Sequence, residues 1–279
     1  MKIWQFETFL KDVEPFRRPK IKLEQYCTGA HIAAHMLTAA QDQYGDIEGK
    51  TVLDLGCGTG MLTAAAVMKG ADLVVGVDVD EDAIEQAREN AEKVETNEES
   101  KFVNMDIEDF GKFIMKKRKE EAEGGQETKD EEKPQEEDKE KDDSDDESSD
   151  EESDDDEEDL ASIPSHFDTV ITNPPFGTKL EHADVKFLLA AIALSDHVVY
   201  SLHKTSTIDY ILGRAKKMGC QAEAIAQLNF DLPKSYKFHK EENRVVDVTL
   251  VRIVKKKGDE EKAEPEPQEG YSDEDSDDE

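Results

Sequence analysis

Cysteine is scarce in this 279-residue chain, and its three positions exclude several classes of protein. Cys27, Cys57 and Cys220 are odd in number and widely spaced, which fits neither a disulfide framework nor a Cys-x-x-Cys zinc site. The histidines show no paired metal-ligand spacing either. We therefore expect a reducing, intracellular setting and no bound metal.

Long apolar runs are also lacking. No stretch approaches the ~20 residues that a membrane-spanning helix needs. The first eleven residues alternate apolar and charged side chains and lack the apolar centre of a secretory signal. We expect no membrane partner.

Basic residues are outnumbered, since 35 Lys and Arg face 69 Asp and Glu, for a net charge of −34. Two tracts carry most of this excess: residues 120–159 hold 25 acidic and 4 basic side chains, and residues 258–279 hold 12 and 1. Like charges repel and apolar surface is nearly absent there, so both tracts are predicted to be disordered, as an insertion and a tail. The other 217 residues carry 32 acids and 30 bases. A near-neutral folded part remains compatible with a nucleic-acid partner.

Strand and helix patterns alternate through the rest of the chain. Apolar runs predict strands at Thr51–Leu55, Leu73–Asp78, Lys101–Met105, Phe167–Thr172, His197–Leu202, Ala222–Phe230 and Val245–Val254. Helical patterns lie between most of them, and no helix separates the last two strands. We therefore expect an α/β fold of the Rossmann-like class I methyltransferase type, with a mostly parallel seven-stranded sheet and an antiparallel edge hairpin. We expect a single methyltransferase domain, made of residues 1–119 and 160–257.

A glycine-rich loop follows the first predicted strand, where Asp54 to Gly60 reads DLGCGTG. Its G-x-G-x-G spacing is tighter than the dinucleotide-binding G-x-G-x-x-G, which suits a cofactor without a pyrophosphate. Asp78 ends the second strand, where a carboxylate can accept from both ribose hydroxyls. Asp106 ends the third strand and is placed to accept from an adenine amino group, beside the backbone N–H of Ile107. The combination predicts S-adenosylmethionine.

Simpler interpretations of these residues remain open. The glycine loop is alternatively a structural turn without a ligand. Asp78 is alternatively the N-cap of the next helix, although Asp80 suits that role better.

The fourth predicted strand ends in Asn173-Pro174-Pro175-Phe176. Two prolines remove two backbone donors and hold the preceding backbone extended. The side-chain oxygen of Asn173 and the carbonyl of Pro174 then both accept from one NH₂ group, while Phe176 stacks on the ring that carries it. This suits an exocyclic amine such as adenine N6, activated by positioning and electrostatics. A stiff loop without catalytic role is the alternative.

These motifs resemble those of the NPPF-type amino-methyltransferases. More narrowly, the chain is similar to the methyltransferase-like protein 5 family of small-subunit rRNA N6-adenosine methyltransferases. The segments that carry this similarity are KIKLEQYCTGAHIAAHML (20–37), VGVDVDEDA (75–83), NPPFGTK (173–179), YSLHK (200–204) and DLPKSYKFHK (231–240).

The resemblance implies a set of site residues. Gln25 and Thr28 would lie over the cofactor, and Gly56, Thr59 and Met61 would line its methionine end. Asp78 would bind its ribose, and Asp106 with Ile107 its adenine. The catalytic loop would consist of Asn173, Pro174, Pro175 and Phe176. Cys27 departs from the family pattern, which usually has proline there.

The resemblance also implies a substrate and a partner. The substrate is small-subunit (18S-type) rRNA, single-stranded or with the target base flipped out, because N6 is paired inside a duplex. The partner is a small methyltransferase-activator subunit that adds a strand to an exposed sheet edge. The implied localisation is the nucleus (nucleolus) and the cytoplasm. Rival interpretations are methylation of protein glutamine or DNA adenine, and a non-catalytic ribosome-assembly factor.

Four basic clusters are candidates for RNA phosphates. They lie at 116–119, at 216–217, at Lys234, Lys237 and Lys240, and at 252–257. The first is alternatively a nuclear-import signal or a neutraliser of the adjacent acidic tract. Trp4 and Phe9 are expected in a segment that covers the cofactor, and His203 is either structural or near the substrate.

Overall fold

A computed structural model describes residues 1–124, 160–177, 182–233 and 243–256. The strands are β1 (Thr51–Leu55), β2 (Leu73–Asp78), β3 (Ser100–Asn104), β4 (Phe167–Thr172), β5 (Ser195–Lys204), β6 (Gln221–Pro233) and β7 (Asn243–Val254). The α-helices are α1 (Ile3–Leu10), α2 (Ala30–Thr38), α3 (Met61–Met68), α4 (Glu81–Lys93), α5 (Ile107–Gly124), α6 (Ala183–Leu194) and α7 (Ile208–Lys217). Among the described helices, none has both the length and the apolar character needed to cross a bilayer.

The seven strands form one sheet in the order β3-β2-β1-β4-β5-β7-β6. The first five strands pair in parallel, whereas β7 is antiparallel to both β5 and β6. The expected class I methyltransferase fold, with its antiparallel edge hairpin, is confirmed. The acidic tract begins within the last residues of α5 and ends before β4, so it lies in the chain between the third and fourth βα units.

Both faces of the sheet are buried, which explains the continuous apolar runs of its central strands. Successive side chains on a strand point to opposite faces. Val52 and Val74 accordingly pack in a cluster with residues of α1, α2 and α3. Leu53 and Val75 pack in a second cluster with residues of α5, α6 and α7.

The structure differs from the expectations at α5. This helix continues to Gly124, five residues into the segment expected to be disordered. Lys117 donates to the carbonyls of Ala161 and Ile163, and Arg118 donates to that of Ser165 at 2.8 Å. These bonds fasten the end of α5 to the chain that leads into β4. Two of the four basic residues at 116–119 are therefore turned inward, away from RNA or an import receptor.

A buried polar network joins the chain before β1 to the antiparallel part of the sheet. Asp46 Oδ2 accepts from the hydroxyl of Tyr200 at 2.6 Å and from Nη2 of Arg252 at 3.0 Å. Tyr200 and Arg252 are cross-strand neighbours on β5 and β7. Burial and the bond to Asp46 raise the pKa of Tyr200. Arg252 therefore serves the fold and is removed from the RNA-binding candidates.

Candidate active site

A cavity of about 380 Å³ opens at the carboxyl ends of the parallel strands. This is where the strand order reverses between β1 and β4, the usual ligand position in open α/β sheets. Ten of the twelve residues that the sequence proposed line it: Gln25, Thr28, Gly56, Thr59, Met61, Asp78, Asp106, Ile107, Asn173 and Pro175. The described residues contain no group of three or more His, Cys, Asp or Glu side chains that could hold a metal ion.

The glycine loop presents bare backbone to this cavity. Gly56 and Gly58 adopt φ of 72° and 54°, in the left-handed region that side chains rarely enter. A Cβ atom on Gly58 would lie 2.7 Å from the ring of Phe16, and one on Gly56 would lie 2.7 Å from the ring of Phe187. Both rings also line the cavity. Glycine is therefore required at both positions for conformation and for space.

We expect Gly58→Ala to weaken S-adenosylmethionine binding by about tenfold or more, because the loop or Phe16 must shift. Gly49→Ala is the matched control, since Gly49 also has positive φ (68°) but nothing lies within 4 Å of its added Cβ. It should cost only about 1 kcal/mol of stability and leave the affinity unchanged. Calorimetric titration of both variants measures this. Wild-type affinity in Gly58→Ala would contradict the assignment of the loop.

Asp78 lies at the end of β2 on the wall of the cavity. Its Oδ2 accepts from the backbone N–H of Gly58 at 2.9 Å, and its Oδ1 accepts from that of Asp80 at 3.0 Å. Desolvation raises its pKa, and these N–H bonds oppose the shift. Asp80 instead caps α4, accepting from the N–H of Asp82. The helix-cap alternative for Asp78 is thus filled by Asp80, and each Asp78 oxygen keeps lone pairs for a ligand hydroxyl.

Asp106 has a second task that the sequence analysis missed. Its Oδ1 accepts from the backbone N–H of Glu108 at 2.8 Å, which caps the first turn of α5. The Asp-x-Glu start of an apolar-periodic stretch was an available signal for this cap. Glu108 also lines the cavity and pairs with Lys186 of α6 at 3.1 Å. These two charged side chains were not predicted as part of the site.

The N-terminal segment over the cavity is not the one expected. Trp4 and Phe9 lie on α1 with 61% and 56% of their surfaces exposed, and neither lines the cavity. That prediction is wrong because Phe6 and Leu10 occupy the buried face of α1 instead. Residues 16–28, which we call the cover segment, line the cavity instead, through Phe16 and every residue from 23 to 28.

The cover segment is tied to the cap of α4. Nζ of Lys20 donates to Asp80, and Nε2 of Gln25 donates to the other oxygen of Asp80 at 2.5 Å. The backbone N–H of Lys20 donates to Oε1 of Gln25 at 2.7 Å. Gln25 therefore lines the cavity, but both the oxygen and the nitrogen of its side-chain amide are hydrogen-bonded to other residues of the protein.

The catalytic-loop residues divide into two pairs. Asn173 and Pro175 line the cavity. Pro174 does not, and Phe176 is buried with its ring edge-on to Phe230 of β6, the centroids 5.6 Å apart. Stacking of Phe176 on a substrate ring is thus not the arrangement in this structure, because Phe230 offers its ring an apolar partner.

Asn173 is held at one end only. Its Nδ2 donates to Oγ1 of Thr28 at 2.9 Å. Its Oδ1 is buried and has no hydrogen-bond partner among the residues that the structure describes. An unpaired buried acceptor costs free energy and is usually explained by an absent ligand or a functional role.

Asp54, the first residue of the glycine motif, is fully buried at the end of β1. Its Oδ2 accepts from the hydroxyl of Thr63 at 2.7 Å, and its Oδ1 has no partner within the described residues. Desolvation raises the pKa of Asp54 to about 7.

This raised pKa predicts a pH-dependent stability. Between the ordinary pKa of 3.8 and about 7, the folded state holds a proton on Asp54 that the unfolded state has lost. The contribution of Asp54 to stability is therefore complete below about pH 4 and falls as pH rises through 7. Asp54→Asn cannot ionise, so its urea midpoint should rise relative to wild type between pH 5 and 8. A constant difference over that range would contradict the prediction.

His203 is structural. It lies within β5, 1% exposed, and its Nε2 pairs with Oγ of Ser201 at 2.8 Å. Burial lowers its pKa to about 4, so the ring is neutral at physiological pH. The residues proposed for the RNA-facing hairpin, Tyr236 and Phe238 with Lys234, Lys237 and Lys240, lie outside the described residues.

The geometry fits S-adenosylmethionine. A cavity of this size accommodates a nucleoside with an amino-acid chain. Bare glycine backbone and two carboxylates for hydroxyl and amino groups match its parts. The unpaired oxygen of Asn173, another lining residue, is available for a methyl acceptor.

Comparison with known proteins agrees with this geometry. The model of the ribosomal protein L11 methyltransferase (PrmA) family matches residues 25–118. This range contains the glycine loop, Asp78 and Asp106 but ends before Asn173, so the match covers the residues expected to bind the cofactor and not the catalytic loop. A crystal structure of a proposed RNA methyltransferase from Pyrococcus horikoshii superposes with a TM-score of 0.66 at 28% identity, covering 91% of this chain and 98% of that one.

Two curated relatives match along nearly their whole lengths. The rRNA N(6)-adenosine-methyltransferase METTL5 of Danio rerio is 37% identical over 254 residues, covering 91% of this chain and 99% of its own. Its namesake in Drosophila melanogaster is 35% identical over 256 residues, with coverage of 91% and 96%. The chain therefore belongs to the METTL5 family.

Proposed function

We propose that this protein uses S-adenosylmethionine to methylate N6 of an adenosine in small-subunit rRNA. The observation that carries the proposal is the buried, unpaired Oδ1 of Asn173, a residue that lines the cavity. An acceptor in that position suits an amine that brings hydrogens. The names of the relatives supply the class of substrate, an adenosine of rRNA.

Bound S-adenosylmethionine supplies an electrophilic methyl group on a sulfonium sulfur. The lone pairs left on Asp78 would accept from the ribose hydroxyls, and Asp106 with the N–H of Ile107 would recognise the adenine. Asn173 Oδ1 would accept an N6 hydrogen of the target, whereas Pro174, the second acceptor expected from the sequence, does not line the cavity. This bond would orient the amine and help localise its delocalised lone pair for attack. The new nitrogen–carbon bond would form as the carbon–sulfur bond breaks and leaves a neutral thioether, and the proton that N6 gives up would pass to water. Positioning and electrostatics then suffice without a strong base.

The substrate base must leave its helix, because N6 of a paired adenosine is engaged in base pairing. The cover segment offers two further cations for the flanking phosphates. Arg18 and Lys22 are exposed on it, whereas Arg17 pairs with Glu89 and Lys20 with Asp80. Sequence reasoning missed this group, although FRRPKIK (16–22) is visibly basic.

Replacing both Arg18 and Lys22 by Gln should raise KM for RNA and flatten its dependence on salt. Each lost phosphate contact lowers the slope of log affinity against log salt by about 1, so the double variant should lose about 2. Lys50→Gln is the control, because Lys50 lies outside the four basic clusters and directly before β1, at the edge of the sheet opposite the cavity; it should leave slope and KM unchanged. An unchanged slope in the double variant would remove the cover segment from the RNA interface.

The rival substrates are separated by one labelling experiment. The purified enzyme, with its activator if required, is given methyl-labelled S-adenosylmethionine and equal masses of small-subunit rRNA, adenine-rich DNA and ribosomal protein. The proposal predicts label in rRNA, recovered as N6-methyladenosine after digestion. Label in protein or DNA would identify that pool as the substrate in place of rRNA. No transfer to any pool would favour the non-catalytic assembly factor.

We also propose that a small methyltransferase-activator subunit adds a strand to this sheet. β3 and β6 are the edges of the described sheet. β6 leads into the hairpin proposed for RNA, so β3 is the edge that remains for the partner. Slowed hydrogen exchange at residues 100–104 on addition of the activator would support this position, and slowing confined to β6 would contradict it.

Small-subunit rRNA is made in the nucleolus and used in the cytoplasm. We accordingly propose that the protein resides in both compartments. Fluorescence of a tagged full-length chain in both would support this, and exclusion from the nucleus would contradict it.

A further inference from the structure

The candidate catalytic asparagine, Asn173, is hydrogen-bonded to a side chain of the cover segment. Oγ1 of Thr28 accepts from Nδ2 of Asn173 at 2.9 Å, although 145 residues separate them in the sequence. Thr28 is 7% exposed, so water competes little for this bond. The oxygen end of the same amide is buried and unpaired among the described residues. One end of the Asn173 amide is therefore fixed, and the other is left for a ligand.

A primary amide has two ends of similar shape and opposite polarity. A half-turn about its terminal torsion exchanges the acceptor for the donor. A hydroxyl such as that of Thr28 can satisfy either end, but an incoming amine brings hydrogens. With the amine seated, only the observed orientation pairs both ends of the amide. Without the hydroxyl, Nδ2 of Asn173 would be a buried donor without a partner, and nothing would hold the plane.

Thr28 is itself held from two sides. Three residues before it, Gln25 is bonded to Asp80, the cap of α4. Directly after it, Gly29 begins α2, where its carbonyl accepts from the N–H of Ala33 at 3.0 Å. The position of the hydroxyl thus follows from two packed helices.

We propose that Thr28 is a positioning residue for the methyl-transfer step: its hydroxyl holds the plane of the Asn173 amide, and the incoming amine selects the end that faces it. This rests on the proposed function for the role of Asn173. It gives Thr28 a task beyond the cofactor contact that its family resemblance implies. The segment that lines the cofactor cavity thereby also organises the groups that receive the methyl acceptor.

The kinetic test compares Thr28→Val, which keeps the shape and removes the hydroxyl, with Thr28→Ser, which keeps the hydroxyl. We expect kcat to fall about 10- to 100-fold in the Val variant and to stay within about threefold of wild type in the Ser variant. Cofactor Kd, KM for RNA and melting temperature should change little in either. Thr51→Val is the control, because it makes the same substitution at the start of β1, the end of that strand away from the glycine loop.

A role confined to the cofactor gives a different result. Thr28→Val would then raise the cofactor Kd and keep wild-type kcat at saturating cofactor, which would overturn the proposal. So would an equal loss of kcat in the Ser and Val variants. A loss of melting temperature that accounts for the lost activity in Val would likewise assign Thr28 to the fold alone.

A second measurement needs no RNA. The side-chain ¹⁵N–H₂ signals of Asn173, identified by their loss in Asn173→Ala, report the bond directly. One of the two protons should exchange slowly in wild type and in Thr28→Ser, and quickly in Thr28→Val. Equal exchange in all three would overturn the proposal even for an active enzyme. If wild type fails to methylate rRNA, the proposed function fails, and this signal still decides whether Thr28 holds the amide.

Discussion

Asn173→Ala should lower kcat for RNA methylation by about 10²–10³-fold, the usual cost of removing one preorganised polar group from a reacting centre. Its side-chain oxygen is a buried acceptor without a partner among the described residues, so under the proposed function its loss removes the contact to the substrate amine. Affinity for S-adenosylmethionine should stay within about threefold of wild type, since the glycine loop and Asp78 are untouched. Single-turnover assays with saturating cofactor measure the effect.

The matched control is Asn97→Ala, which removes an exposed asparagine from the loop before β3. It should methylate RNA at the wild-type rate. If Asn173→Ala also did so, the catalytic assignment would be wrong, whatever the substrate. If it lost cofactor binding to the same extent as activity, Asn173 would belong to the cofactor site instead.

Asp46→Ala should be the most destabilising of the substitutions considered, by about 3–5 kcal/mol, because it leaves a largely buried cation without its carboxylate. Arg252 then keeps one neutral partner, the hydroxyl of Tyr200 at 3.0 Å from its Nε. The carboxylate of Glu223 lies 3.7 Å away and is more than half exposed, and Tyr44 adds a stacking contact. Tyr200 loses the acceptor for its buried hydroxyl. In a domain of this size each kcal/mol lowers the melting temperature by roughly 2–4 °C.

Calorimetry or urea unfolding checks this against Asp109→Ala, which breaks the exposed pair with Lys112. That control should cost less than about 1 kcal/mol. Equal losses in the two variants would show that the Asp46 network adds nothing beyond a surface ion pair. Since Asp46 does not line the cavity, the Asp46→Ala protein that remains folded should bind cofactor normally.

Local pattern predicts the sheet well because apolar runs bounded by turn residues are a local property. β1, β2 and β4 have the limits that the sequence indicates. The helices α1 and α2 were not predicted, although Ile3, Phe6 and Leu10 follow helical spacing. The signal was present but short.

The site was predictable where it follows strand ends and not where it depends on contacts across the fold. Gly56, Asp78 and Asp106 follow from their place in the chain, because parallel strands end at one edge. The rings of Phe16 and Phe187, by contrast, reach the glycine loop from distant segments. The bond between Thr28 and Asn173 likewise spans 145 residues, and no local pattern encodes it.

Lys117 and Arg118 show that local sequence can also suggest an exposed binding patch where the side chains instead bond to the protein. Four adjacent basic residues suggest an exposed patch, and composition alone cannot tell which of them return to the protein. The structure pairs Lys116 with Glu120 and Lys119 with Glu123, while the central two bind backbone carbonyls. Charge clusters therefore become candidates for RNA contact only after their internal partners are known.

The most direct test of rRNA methylation by this protein is nucleoside mass spectrometry of small-subunit rRNA from cells with and without it. We expect the loss of one N6-methyladenosine per rRNA, restored by the wild-type protein and not by Asn173→Ala. An unchanged content of N6-methyladenosine in that rRNA would contradict the proposed substrate.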